Sequence, residues 1–88
     1  MIVKIDKSLQ KDIKKVNNQS IKNKLAKIIE SIQNAKSIKE IPQLKKLKGS
    51  KEFYRIRINN YRLGIRIQNE ELILVRLLHR KDIYRYFP

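Results

Sequence analysis

Phe53-Tyr54-Arg55-Ile56-Arg57-Ile58, Asn59-Asn60, Tyr61-Arg62-Leu63-Gly64-Ile65-Arg66-Ile67-Gln68: this run decides the fold. Apolar and basic side chains alternate in it with the two-residue period of a β-strand. Tyr54, Ile56 and Ile58 point one way and Arg55 and Arg57 the other. Past the break, Tyr61, Leu63, Ile65 and Ile67 oppose Arg62, Gly64 and Arg66. Asn59-Asn60 reads as a two-residue hairpin turn, because Asn tolerates the positive φ that such turns require. That turn sets Arg57 across from Arg62 and Arg55 across from Gly64. Like charges paired across strands destabilise a sheet, so the arrangement suggests an anion that offsets the cost.

A third strand follows at about 72–79, and its register depends on its turn. A two-residue turn would aim Arg76 into the core, where an unpaired charge is very unfavourable. A three-residue turn, Asn69-Glu70-Glu71, sends Ile73, Val75 and Leu77 inward and brings Arg76 and Arg80 to the basic face. The second register is the expectation, and it leaves His79 at the end of the core face. One surface then holds Arg55, Arg57, Arg62, Arg66, Arg76 and Arg80, with Gly64 leaving space among them. Ordinary surfaces mix both signs of charge, whereas this one interleaves no acid.

Upstream, residues 2–5 read as a short strand. Leu9, Ile13 and Val16 mark a helix beginning near Asp6 or Ser8, and the polar patch Asn17-Asn18-Gln19-Ser20 breaks it. Ile21, Leu25, Ile28, Ile29 and Ile32 mark a second helix. Residues 34–51 are irregular, with Lys45, Lys46, Lys48 and Lys51 surrounding Gly49. Downstream, Asp82 caps a final short turn and Phe87 anchors the tail. The expected class is α+β in the order β-α-α-β-β-β, a helical hairpin packed on one face of a small antiparallel-rich sheet. Residues 1–88 make a single domain.

Composition narrows the function. Twenty-two Lys and Arg oppose eight Asp and Glu, a net charge of +14, which attracts nucleic acid, anionic membrane or an acidic protein. All seven arginines fall between Arg55 and Arg85, while residues 1–42 carry ten lysines and none. Arginine's planar fork suits phosphate held in a defined geometry. The chain has no Cys, which fits a reducing cytosol. Neither a signal peptide nor a membrane helix is legible, so the expectation is a soluble cytoplasmic protein with no membrane partner. The absence of an Asp/Glu/His cluster with ligand spacing argues against a metal nuclease, and no cofactor is expected.

Lys46-Leu47-Lys48-Gly49, Tyr54-Arg55-Ile56-Arg57-Ile58, Tyr61-Arg62-Leu63 and His79-Arg80-Lys81-Asp82-Ile83-Tyr84-Arg85, in that order and spacing, resemble the RelE/ParE superfamily of bacterial toxins over nearly the whole chain. The RelE-like branch cuts ribosome-bound mRNA without metal, the ribose 2′-hydroxyl attacking the neighbouring phosphate. The resemblance implies a toxin of a type II toxin–antitoxin system. It sets Arg55 and Arg57 near the attacking hydroxyl, Arg62 on the phosphate and Arg80 at the leaving oxygen and transition state. Tyr84 would stack on or orient the substrate, with Tyr86 beside it. Lys45, Lys46, Lys48, Lys51, Arg66 and Arg76 complete the expected RNA-binding surface. Arginine occupies both positions where a lysine could act as base, which leaves His79 as the candidate of near-neutral pKa and Tyr84 as a helper. The implied partners are a cognate acidic antitoxin and ribosome-bound mRNA. Two alternatives stand beside this: a ParE-like inhibitor of DNA gyrase without nuclease chemistry, and a non-enzymatic nucleic-acid-binding module.

Overall fold

In the computed structural model, which describes residues 1–88, the chain runs β1 (Ile2–Ile5), α1 (Lys7–Lys15), α2 (Gln19–Asn34), a 3₁₀ turn (Ile38–Glu40), β2 (Lys45–Lys46), β3 (Phe53–Ile58), β4 (Tyr61–Gln68), β5 (Glu71–His79) and α3 (Ile83–Tyr86). The five strands form one sheet in the order β1-β5-β4-β3-β2. β1 lies parallel to β5 and every other pairing is antiparallel. No helix is long and apolar enough to cross a membrane.

The helices begin where side chains satisfy their first N–H groups. Asp6 accepts from Ser8 N at 3.1 Å, and Asn18 accepts from Ser20 N and Ile21 N at 2.9 and 3.3 Å. The polar patch breaks the chain because it holds the second cap. Nine residues of α1 are too few for a stable isolated helix, so packing must hold it. Leu9, Val16, Ile21, Leu25 and Ile32 from the hairpin bury against Ile56, Ile58, Leu63, Ile65, Leu72, Leu74 and Leu77 from the sheet. Each such side chain stabilises by roughly 1.5–3 kcal/mol when fully buried. Tyr54 and Tyr61 pack at the margin of this core, as their register predicts.

Three features depart from the sequence reading. The turn after β4 has two residues, Asn69 and Glu70, both with positive φ (52° and 63°), and β5 begins at Glu71. Leu72 and Leu74 therefore enter the core in place of Ile73 and Val75. A register shift follows: Ile65 pairs with Leu74 but Gly64 with Arg76, leaving Val75 as an extra residue. This bulge reverses the facing of everything after it. Leu77 thus points inward as expected, though by a different route, and Arg76 escapes the core.

Second, Lys45 and Lys46 lie on an edge strand and not in a loop, pairing with Arg55 and Tyr54. Third, the sheet face away from the hairpin is partly covered. α3 and the tail lay Ile83 and Phe87 onto it, where they pack with Leu47, Phe53, Val75 and Leu78 in a second small core. Gly64 makes this possible: a Cβ there would stand 2.9 Å from three carbons of the Phe87 ring. The space at Gly64 is filled by Phe87 and is not open to a ligand. Phe87 anchors the tail, as expected, and meets Phe53 edge-on at 5.5 Å.

Candidate nucleic-acid interface

On the sheet face that carries α3, cross-strand registers arrange the basic residues in rows. Arg57 lies opposite Arg62; Lys45, Arg55, Gly64 and Arg76 form the next row; Phe53, Arg66 and Ile73 form the third. Strand alternation in β3 and β4 and the bulge in β5 thus deliver arginines from three strands to one side of the sheet, the face the sequence predicts although for β5 by a different register. Their surroundings then divide them.

Arg66 Nε is 2.9 Å from Glu52 Oε2, and its Nη2 donates to Gln68 Oε1 at 2.8 Å. Arg76 donates through Nε and Nη2 to the two oxygens of Asp12 at 2.8 and 3.1 Å. The Asp12 hydrogen bond, followed by its charge, raises the Arg76 pKa further. Both arginines expected to bind RNA here already have a carboxylate. The structure does not bring them into the unpaired group.

Arg55, Arg57, Arg62 and Arg80 have no carboxylate within ion-pair distance. Arg62 is their centre. It is half-buried, and its Nη1 donates to the carbonyls of Asn59 and Tyr61, both at 2.9 Å. The turn that creates the hairpin therefore also aims the guanidinium. Burial lowers the Arg62 pKa, and the positive charges of Arg57, Arg55 and Arg80 add to the effect; the Tyr84 phenol opposes it. A guanidinium stays protonated regardless. Burial is the larger cause of the shift, and the remainder reflects Arg57, Arg55 and Arg80, with Tyr84, within electrostatic reach of Arg62. Like charges held together without counter-ions favour an arriving anion.

Tyr84 is 67% exposed and projects from α3 toward the basic loop. Together with Leu47, Lys48, Gly49, Ser50, Lys51, Glu52 and the tail it lines a surface depression of about 550 Å³. Lys48 and Lys51 thus border Tyr84. Lys45 shares the face of Arg55, whereas Lys46, opposite Tyr54, turns to the other. Tyr86 faces the far side of α3, lining a separate hollow with Asp12 and Arg76; Arg85 lies over its ring at 5.6 Å.

His79 stands apart. It pairs with Tyr61 on the hairpin side of the sheet, its ring edge-on to that tyrosine at 5.8 Å. Its Nδ1 accepts from Lys81 N at 3.2 Å. The register turns it to the face opposite Arg62, and it lines the hollow that holds Arg76 and Tyr86, so the structure does not gather the expected histidine with Arg55, Arg57 and Arg62.

Sequence reasoning missed one residue that shapes this site, Asp12, and misread another, Gly64, as open space. Asp12 sits on the apolar stripe of α1 between Leu9, Ile13 and Val16, and an acid in such a stripe signals a buried partner. Gly64 interrupts a strand, which signals close approach of another group. The approaching group was legible only as an apolar residue at the tail.

Comparison with known proteins gives a consistent result. A family model described as ParE toxin of type II toxin-antitoxin system, parDE, matches residues 3–84. Toxin RelE3 of Methanocaldococcus jannaschii is 43% identical over 89 residues, spanning the whole of both chains. A putative toxin RelE1 of the same organism is 32% identical over 81 residues, covering 91% of this chain and 89% of its own. The crystal structure of a RelB-RelE antitoxin–toxin complex from Methanococcus jannaschii contains a chain that superposes with a TM-score of 0.81 at 41% identity, covering 97% of this chain and 99% of that one. The YoeB dimer from Staphylococcus aureus shares the fold (TM-score 0.69, 90% and 95% covered) at 19% identity. The chain belongs to the RelE/ParE superfamily and is a type II toxin–antitoxin toxin of the RelE family.

Proposed function

We propose that this toxin arrests translation by cutting mRNA on the ribosome. In that reaction the ribose 2′-hydroxyl loses its proton to water as its oxygen bonds to the adjacent phosphorus. The bond to the 5′-oxygen breaks and that oxygen takes a proton from water, so that a cyclic phosphate and a 5′-hydroxyl result with no net change in protons. Negative charge grows on the phosphoryl oxygens and on the leaving oxygen. Fixed guanidinium donors are suited to hold it. The supporting observation is the group of Arg55, Arg57, Arg62 and Arg80, unpaired and converging from β3, β4 and the end of β5. Arg62 and Arg80 hold the phosphoryl and leaving oxygens. Arg55 and Arg57 lie toward the attacking hydroxyl. Tyr84 stacks on a base, an interaction worth roughly 1–3 kcal/mol, while Lys45, Lys48 and Lys51 guide the strand.

With His79 across the sheet, the reaction relies on positioning and charge stabilisation, and the ribosome supplies part of the geometry. The toxin acts in the cytoplasm. Its partner is an acidic antitoxin, which the +14 charge would steer onto it.

A second reading draws on the family description, that of a ParE toxin, and on arginine at both candidate base positions: inhibition of DNA gyrase without cleavage. Induction in growing cells with separate labelling of protein and DNA synthesis distinguishes the two. The expected result is that protein synthesis stops first. DNA damage with translation initially intact would favour the second reading.

A further inference from the structure

β1 ends at Ile5, paired with Leu74, while β5 continues to His79. Beyond Leu74 that side of β5 has no strand neighbour. α1 takes its place. Asp6 N donates to Leu74 O at 2.9 Å, the Ser8 hydroxyl, whose single proton is shared with the Asp6 carboxylate, lies 2.6 Å from Val75 O, and Leu77 N donates to Asp12 Oδ2 at 2.9 Å. Ser8 and Asp12 are four residues apart, one helical turn, so both fall on the same face. The same Asp12, only 6% exposed, accepts Nε and Nη2 of Arg76. Three N–H groups thus converge on one buried carboxylate, across the segment where the β4–β5 register slips.

That slip has a consequence for chemistry. Without the bulge at Val75, strict alternation from Leu72 and Leu74 would send Arg76, Leu78 and Arg80 toward the helical hairpin. With it, Leu77 and His79 point there, and Leu78 falls opposite Arg62 on the arginine face. Arg80 follows Leu78 by two. Its backbone N is tied to Asn60 O at 2.7 Å, beside the turn that holds Arg62.

We infer that Asp12 is a positioning residue for the RNA site: by holding the bulged register of β5 through Leu77 N and Arg76, it fixes the face on which Arg80 emerges. This rests on the reading that Arg80 acts on RNA. Asp12 itself touches no substrate. It works from the opposite end of the chain, through the edge of a strand.

The test uses the full chain with Asp12→Ala, Asp12→Asn, Arg80→Ala and the double variant Asp12→Ala/Arg80→Ala. Each is assayed well below its own melting temperature, where it is folded. Single-turnover cleavage of message on programmed ribosomes, at saturating toxin, gives the chemical rate, and co-sedimentation gives ribosome affinity. The expected result is a loss of at least about tenfold in rate for Asp12→Ala, with affinity within about twofold of the parent. The double variant should be no slower than Arg80→Ala alone. Asp12→Asn keeps an acceptor for Leu77 N and should lose less. Backbone NMR supplies a readout independent of activity: the cross-strand contact between Gly64 and Arg76 should be lost or weakened in Asp12→Ala. Folded Asp12→Ala with parental rate and an intact Gly64–Arg76 contact would overturn the proposal, as would additive losses in the double variant. If Arg80→Ala cleaves at the parental rate, the role of Arg80 in the chemistry fails instead, and the NMR register alone decides for or against Asp12.

Discussion

Arg62 illustrates how one residue can be prepared for a charged ligand. Its guanidinium is aimed by two carbonyls of its own turn and crowded by Arg55, Arg57 and Arg80. No carboxylate relieves that crowding, so an incoming phosphate meets donors already in place. Gly64 serves a different end, admitting the Phe87 ring against the strand. Gly64→Ala should therefore destabilise the protein by about 1–3 kcal/mol through overpacking, measured by urea denaturation. In a Phe87→Ala background the same change should cost close to nothing, because the clash is gone. An undiminished cost there would mean that backbone conformation, not Phe87, excludes a side chain. His79 carries the third residue-level expectation. Placed across the sheet from Arg62, it should be dispensable: His79→Ala should cut message within a few-fold of the parental rate, and the pH–rate profile should keep rising past the ordinary histidine range near 6.5. A plateau there that vanishes in the variant would restore histidine as the base.

At the scale of elements, α1 does more than cover the core, since it also completes the edge of β5. Its N-cap links the two roles. The Asp6 carboxyl lies below its ordinary 3.8 because the Ser8 hydroxyl and backbone N–H donate to its ionised form. A carboxylate depressed by folding stabilises the fold above the unfolded pKa, and that contribution fades as pH falls through the folded value. Asp6→Ala should thus cost about 0.5–2 kcal/mol at neutral pH. The gap to the parent should narrow as pH falls below the ordinary carboxyl value of 3.8, read from urea midpoints across the range; a gap constant with pH would place the effect elsewhere.

The elements also mark what could be read in advance. Both hairpin helices, the β3–β4 hairpin and its register were legible, because period and caps are local signals. The β5 register was not. Glu70 adopts a positive φ of 63° that its residue type does not advertise, and the bulge depends on Asp12, 65 positions from Leu77 in the chain. The face shared by the arginines of β3 and β4 was legible from period, whereas Arg76 reaches it through a bulge that the sequence did not show. The pairing of Arg66 and Arg76 with Glu52 and Asp12 was not legible, because carboxylate partners distant in sequence leave no period.

For the whole molecule, the distribution of acids matters as much as the excess of bases. Asp12, Glu52 and Glu71 sit in ion pairs with Arg76, Arg66 and Lys4, and Asp6 caps a helix. Exposed pairs such as Lys4–Glu71 contribute little to stability. The remaining cations are spread over the surface, and among them Arg55, Arg57, Arg62 and Arg80 form a compact unpaired group presented by β3, β4 and the end of β5 near the exposed Tyr84. The most direct test mixes purified protein with ribosomes translating a defined message and maps cleavage by primer extension. The parent should cut within the ribosomal decoding site, and Arg62→Ala with Arg80→Ala should leave the message intact while keeping a cooperative melting transition. Cleavage by that double variant at the parental rate, or an intact message with the folded parent, would contradict the account.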